Sequence, residues 1–374
     1  MTNIFQEFAA QTSQEWNEQI IKDLKGKALE EILSKNYEQI PIKAFYTKED
    51  IHEQFAHEVS QILYHKSTQS KQASMEMVID HITHTMQYEK PLDGPDFEAF
   101  LNGIENIDKF FINIDVFHNA GASAVQELAY GLAIASTYLD KLSDKGLDIE
   151  KLTPKICFTT AVGNNYFMEI AKLRVLPWLY NKLVSQFLGK NTNVHSTVRA
   201  KTATINKSQK DSYNNLIRTT LEAMSAIIAK ADEVLVLPFN EYLGLHDEFS
   251  ERMATNISRI LEHESKLNFV VDISSGAYFV EYLTEQLAKK AWVLFQEIEQ
   301  AGGFLVYHEK GLLKQAIVSV AKEKIKDFQA KKIVQIGVNK YPNTKEEIQI
   351  SYKNESFFAG NAIKTFRLEE FLEA

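Results

Sequence analysis

The sequence predicts an α/β protein: a β/α barrel, shortened in its first half, carrying an N-terminal helix-plus-extended arm. Three observations predict it. Short β-type runs alternate with helical segments, the helical segments carry clear apolar stripes, and the region they occupy is close to the size one barrel needs. The runs are "MEMVI" (75–79), "MQYE" (86–89), "FFINI" (110–114), "ICFTTA" (156–161), "VHSTVRA" (194–200), "EVLVL" (233–237) and "FVVDI" (269–273). From the third onward they recur about every 40 residues, the period of βαβ units in a parallel sheet. The last helix is the clearest, with Phe279, Leu283, Leu287, Ala291, Leu294 and Ile298 on one stripe and Gly302-Gly303 as its stop. Closing eight strands into a TIM-type barrel takes about 250 residues, near the span from Met75 to Phe304. The first two runs are too close for a parallel crossover, so they form a hairpin or are not both strands, and the front half is cut down.

The arm comes first. "SQEWNEQIIKDLKGKALEEIL" spaces Trp16, Ile20, Leu24 and the Leu29–Leu33 cluster as a helix, interrupted at Gly26, and "IPIKAFYTKED" continues as extended chain after Pro41. One amphipathic helix with an extended arm cannot bury its own apolar side, so residues 1–50 need a surface in this chain or in a partner. Residues 51–304 are expected to be the shortened barrel. Residues 305–374 read as a C-terminal helix followed by a linker-like tail.

Composition narrows the classes. The 374 residues are 45% hydrophobic and 24% charged, with a formal net charge of −9. Such a chain is poorly suited to a phosphate backbone, so no nucleic-acid partner is expected. The single cysteine, Cys157, excludes an intramolecular disulfide and any multi-cysteine metal site, and its apolar run reads as core. With no secretory signal and no long apolar span, a cytoplasmic location without membrane contact is expected.

Seven stretches together resemble the small (β) subunit of methylmalonyl-CoA mutase. They are the arm segments "EWNEQIIKDLKGKALEEIL" and "IPIKAFYTKED", "FHNAGASAVQELAYGLAIASTYL" (117–139), "LRVLPWLYNKLVSQF" (173–187), "DSYNNLIRTTLEAMSA" (211–226), the "DISSGAYFVEYLT" signature (272–284) and "VQIGVNKYPN". The resemblance leaves out about 51–108. It implies a barrel that threads a CoA thioester along its axis. In catalytic members it also implies a separate C-terminal domain holding adenosylcobalamin.

The family ligates cobalt with Asp-x-His-x-x-Gly. The one near match here, Asp115-Val116-Phe117-His118-Asn119-Ala120-Gly121, has the aspartate one position too far away and lies in mid-barrel. About seventy residues follow the barrel, too few for a corrin-binding domain, so no cofactor is expected on this chain and adenosylcobalamin is expected on a partner large subunit. The Tyr-His pair that precedes Ala-Gly-Ala in active members falls on Asp115-Val116 or, with a gap, on Phe117-His118. In both registers the tyrosine hydroxyl is missing.

Candidate substrate-binding residues remain, each beside a structural reading. His118 follows a strand and is either a pocket residue or a satisfied structural histidine. His195 and Arg199 lie four apart on one strand face, which Lys201 continues, and could point into the barrel mouth; an inward cation needs a partner or an anion. Tyr213, Asn214 and Arg218 keep the family spacing and equally suit a cap or an interface. Asp272 and Ser275 sit in a turn that either faces an anion or caps the following helix. His81 and His84 share a helical face without a third ligand, so no metal site is expected.

Two functional readings follow. In the first the chain is a non-catalytic partner of the catalytic large subunit, forming a heterodimer, or a homodimer when isolated. In the second it is an acyl-CoA-binding isomerase barrel, active with a cobalamin domain supplied by another chain.

Overall fold

The computed structural model describes residues 12–25, 36–68, 80–89, 95–243, 247–343, 345–346 and 350–372. Helices α1 (Ser13–Asp23), α2 (Glu53–Thr68), α3 (His81–Tyr88) and α4 (Pro95–Gly103) precede the sheet. Strand β1 (Phe110–Asn113) leads through α5 (Asp115–Asn119), α6 (Ala124–Asp144) and α7 (Ile149–Leu152) to β2 (Ile156–Val162). Helix α8 (Tyr166–Leu188) leads to β3 (Val198–Thr202), and α9 (Asn214–Ile228) to β4 (Glu233–Leu235). Helices α10 (Glu248–Arg259), α11 (Tyr278–Gln300), α12 (Phe304–Glu309) and α13 (Leu312–Gln329) follow.

The four strands are parallel and hydrogen-bonded in chain order. Consecutive parallel strands with helical crossovers are the repeating unit of a β/α barrel, and the described residues form an arc of four. Because side chains alternate along a strand, the register sorts them into two rows. One row, with Phe110, Ile112, Phe158, Val198 and Ala200, packs into the main core against α6 and α8. The registered pairs Phe111–Cys157, Asn113–Thr159, Thr159–Arg199, Ala161–Lys201 and Arg199–Glu233 line the other. In a barrel that second row faces inward. Cys157 is buried there and its thiol is pushed up to about 11, first by burial, as a core cysteine should be.

Several expected strands need correction. "MEMVI" lies outside the described residues. "MQYE" ends α3 instead: the Asp80 side chain accepts from Thr83 N at 3.3 Å and starts the helix, while Met86 turns into the core. "VHSTVRA" enters the sheet only at Val198, so His195 is not on the strand. "FVVDI" is a series of turns with Phe269 75% exposed, and it pairs with no strand among the described residues. Its aspartate is held elsewhere, as described below.

The arm divides into two. Its extended part lies on its own chain: Ile40 is buried, Tyr37 donates to Asp327 at 2.9 Å, Tyr282 donates to Pro41 O at 2.9 Å, and Tyr46 packs on Phe279 and Tyr282. Helix α1 has a complete capping box, Thr12 with Glu15, yet buries no residue, and Trp16 and Ile21 are exposed. No helix among the described residues is long and apolar enough to cross a membrane.

Candidate functional site at the carboxyl end of the sheet

Barrel enzymes work at the carboxyl ends of their strands, so that is where the candidates must meet. Here the region read as a linker-like tail closes it. Ala161 at the end of β2, with Ala203 and Ile205 beyond β3, forms one apolar cluster with Ala321, Ile325 and Phe328 of α13 and with Phe366, Leu368 and Phe371. Backbone bonds stitch the tail down: Phe366 N donates to Asn119 O at 3.1 Å and Leu368 N to Ile205 O at 2.9 Å. The Glu369 carboxylate, fully buried, accepts from Ser208 Oγ at 2.6 Å and Gln209 N at 2.8 Å. Gly121 shows how close the packing is. Its φ is +97° and a Cβ there would stand 2.6 Å from Ala321 Cβ, so only glycine fits under α13.

Below this plug the inward cations are already neutralised. Arg199 Nε donates to Glu233 at 2.7 Å while its guanidinium lies 3.9 Å over the Phe111 ring, and Lys201 Nζ meets Asp115 at 3.1 Å. His195 precedes β3, at the amino end of the sheet, with its Nε2 4.0 Å from Asp232. The expectation that it shares the mouth with Arg199 is therefore corrected: the extended chain before Val198 places it at the opposite end.

His118 belongs to a buried charge cluster. Its Nδ1 lies 3.3 Å from Glu127 Oε2, and a Cβ on Gly163 would come within 2.8 Å of its Nε2. Glu127 and Lys172 have a structural task. Strand β2 outruns β1, leaving Ala161 without a backbone partner on that side; Glu127 Oε1 accepts from Ala161 N at 3.1 Å and Lys172 Nζ donates to Ala161 O at 2.6 Å. Burial would raise the Glu127 carboxyl, but the Lys172 ammonium at 2.7 Å outweighs it, assisted by His118, and holds it at about 2.

Asn214 and Arg218 tie α9 to the segment after α13, and Tyr213 ties it to the chain after β4. Asn214 donates to Asp211 at 2.6 Å and stands against Gly337, Arg218 donates to Ile336 O and Asn215 Oδ1 at 2.6 Å each, and Tyr213 stacks on Phe239 at 5.2 Å.

The Asp272–Ser275 turn holds an arginine. Arg174 of α8 is fully buried, and all five of its N–H groups are used. Nε and Nη2 donate to the two Asp272 oxygens at 3.0 and 2.8 Å; Nη1 and Nη2 donate to Glu281 at 3.2 and 3.0 Å; Nη1 also reaches Thr284 at 3.1 Å. Ser60 Oγ donates to Asp272 at 3.0 Å and meets Ser275 Oγ at 3.3 Å, which brings α2 to the same point. The serines do not cap α11. Its first turn is closed by Glu281, which accepts from Gly276 N at 3.0 Å. Sequence reasoning missed Arg174 and Lys172, although two cations inside the apolar run "MEIAKLRVL" were a signal that buried carboxylates lay opposite.

A four-stranded parallel arc backed by helices places the chain in the β/α-barrel fold class. The family profile for methylmalonyl-CoA mutase matches residues 97–370, and the chain belongs to that family. Its relatives include small and large subunits. It is 36% identical over 239 residues to the methylmalonyl-CoA mutase small subunit of Porphyromonas gingivalis, covering 63% of this chain and 38% of that one. It is 38% identical over 226 residues to the small subunit of Streptomyces virginiae, covering 60% and 36%. It is 34% identical over 247 residues to the Porphyromonas gingivalis large subunit, covering 65% and 34%. The chain thus spans little more than a third of the length of the curated relatives it matches.

The residues here do not fit the family's cobalt ligation. Asp115 and His118 lie within one short helix, and His118 Nδ1 is 3.3 Å from Glu127 Oε2, so the histidine is engaged by a carboxylate of its own chain.

Proposed function

We propose that this chain is a non-catalytic, small-subunit-like partner of a catalytic large subunit that carries adenosylcobalamin and interconverts succinyl-CoA and methylmalonyl-CoA. The observation that carries this reading is the filled carboxyl end of the sheet. Phe328, Phe366 and Phe371 cluster with Ala161, Ala203 and Ile205 beyond the carboxyl ends of β2 and β3, the end at which barrel enzymes bind substrate. The pairing of Arg199 with Glu233 and of Lys201 with Asp115 supports it, because a cation committed to a neighbouring carboxylate is a poor anchor for an anionic ligand. Helix α1, formed and capped but without a buried residue, supports a partner-facing arm.

Co-expression with a methylmalonyl-CoA mutase large subunit from the same organism as this chain tests the proposal. A complex that co-elutes on gel filtration at micromolar concentration is expected, with mutase activity that requires the large chain and its cofactor. Separate elution of the two chains overturns it.

A further inference from the structure

Two of the chain's three tryptophans, Trp178 and Trp292, meet at the junction of three helices. Between α2, α8 and α11 lies a cavity of ≈ 490 Å³ walled by Phe55, Trp178 and Trp292 together with the buried Ala288. Small-molecule sites run from about 300 to 1,000 Å³. Phe55 meets Trp178 edge to face at 5.0 Å, and each of the three rings is only half-buried. Aromatic side chains that served the core alone would close on one another and leave no such space. None of the residues clustered at the carboxyl end of the sheet wall this cavity except through α13-free helices: its lining comes from α2, α8 and α11 and the residue before α2.

The charges around the cavity decide what it takes. Glu58 Oε2 accepts from Trp178 Nε1 at 3.2 Å, Glu285 pairs with Lys289 at 2.8 Å, and His52 Nδ1 accepts from Phe55 N at 3.2 Å. Lys182 is different. It follows Trp178 by one turn of α8, and its Nζ stands 5.0 Å from the centre of the Trp178 ring and 4.7 Å from that of Trp292. Two indole faces attract a cation. They supply no lone pair, and among the described residues Nζ meets no carboxylate, carbonyl or hydroxyl oxygen. An ammonium has three N–H groups to give. The cavity therefore presents one cation with open donors, held by aromatic faces beside an apolar wall.

We propose that this cavity is a binding site for a small amphipathic carboxylate. A ring-sized apolar body packs against Phe55, Trp292 and Ala288, and its carboxylate accepts from Lys182 Nζ. A charge-assisted bond of this kind is about twice as strong as a neutral one. A cationic guest is opposed by Lys182, which already lies over the ring faces that would receive it. The cavity is too small for an intact coenzyme A thioester, so the site takes a free acid. The proposal rests on neither the filled carboxyl end nor the role beside a large subunit.

Calorimetric titration of the full chain with three probes built on one ring system tests it: 2-naphthoate, 2-naphthamide and 2-naphthylmethylammonium. The carboxylate is expected to bind one to one with a Kd of about 0.1–1 mM, the amide at least about 10-fold more weakly, and the ammonium without heat. Lys182→Met removes the charge and keeps an apolar side chain, so naphthoate falls to the affinity of the amide. Trp292→Leu opens the apolar wall and weakens naphthoate by about 10-fold. Lys182 is half-buried and makes no hydrogen bond, so its variant keeps the melting temperature and reads the site even if Trp292→Leu does not fold. No heat with naphthoate at millimolar concentration, equal affinity for naphthoate and naphthamide, or tighter binding of the ammonium probe overturns the proposal. A carboxylate preference that survives Lys182→Met, or a Kd indifferent to a folded Trp292→Leu, overturns it as well.

Discussion

Replacing Arg174 with methionine keeps the length of the side chain and removes its charge. In the wild-type protein the guanidinium gives two N–H bonds to Asp272, two to Glu281 and one to Thr284, all inside the protein. The variant leaves two buried carboxylates facing each other with no cation. Removing one member of a buried ion pair costs about 3–5 kcal/mol, and here two carboxylates lose their partner, so the upper part of that range is expected at pH 7. The pH dependence follows. In the variant, burial and mutual repulsion disfavour two neighbouring negative charges, so one proton is held between the carboxylates more readily than in the unfolded chain. The folded variant then binds more protons than the unfolded chain. The penalty is therefore full at neutral pH and shrinks as pH falls toward 5. Urea unfolding followed by far-UV circular dichroism at pH 7.5 and pH 5 measures both effects. A loss below about 1 kcal/mol at pH 7.5, or an equal loss at the two pH values, refutes the reasoning.

Other outcomes follow from the same packing. Glu127→Gln removes the carboxylate that Lys172 holds near 2. Because that folded pKa lies below the unfolded value of about 4.3, its stabilisation is present above that pH and fades as pH falls toward 2. Wild type thus loses urea resistance between pH 5 and 2 more steeply than the variant, which starts several kcal/mol lower at pH 7. Phe366→Ala or Phe371→Ala empties part of the plug and costs about 3–5 kcal/mol, read as a lowered urea midpoint. Gly121→Ala forces α13 away from α5 at a cost of about 1–3 kcal/mol, seen as faster amide exchange in α13.

The sequence carries the sheet well and the site poorly. "FFINI", "ICFTTA" and "EVLVL" become β1, β2 and β4 because each is a short apolar run between helical segments. "FVVDI" has the same β-branched content, yet its position is decided by Asp272 binding Arg174 nearly a hundred residues away, which no local pattern reports. "MQYE" lost to a cap six residues upstream. The linker-like look of the C-terminal region hid its role: Phe358, Phe366 and Phe371 are spread through polar sequence without period, and only tertiary packing collects them. Among the candidates, Arg199 shares its strand row with Thr159 and Glu233, Asn214 and Arg218 meet the segment after α13, and Tyr213 stacks on Phe239 instead. His195 lies at the wrong end of the sheet. Asp272 and Ser275 serve an arginine of the same chain.

The central claim, a barrel mouth filled by the chain's own aromatic side chains, is tested most directly by calorimetric titration of the isolated protein with succinyl-CoA and methylmalonyl-CoA. The account predicts no heat of binding up to millimolar ligand. Saturable one-to-one binding of either thioester would contradict it.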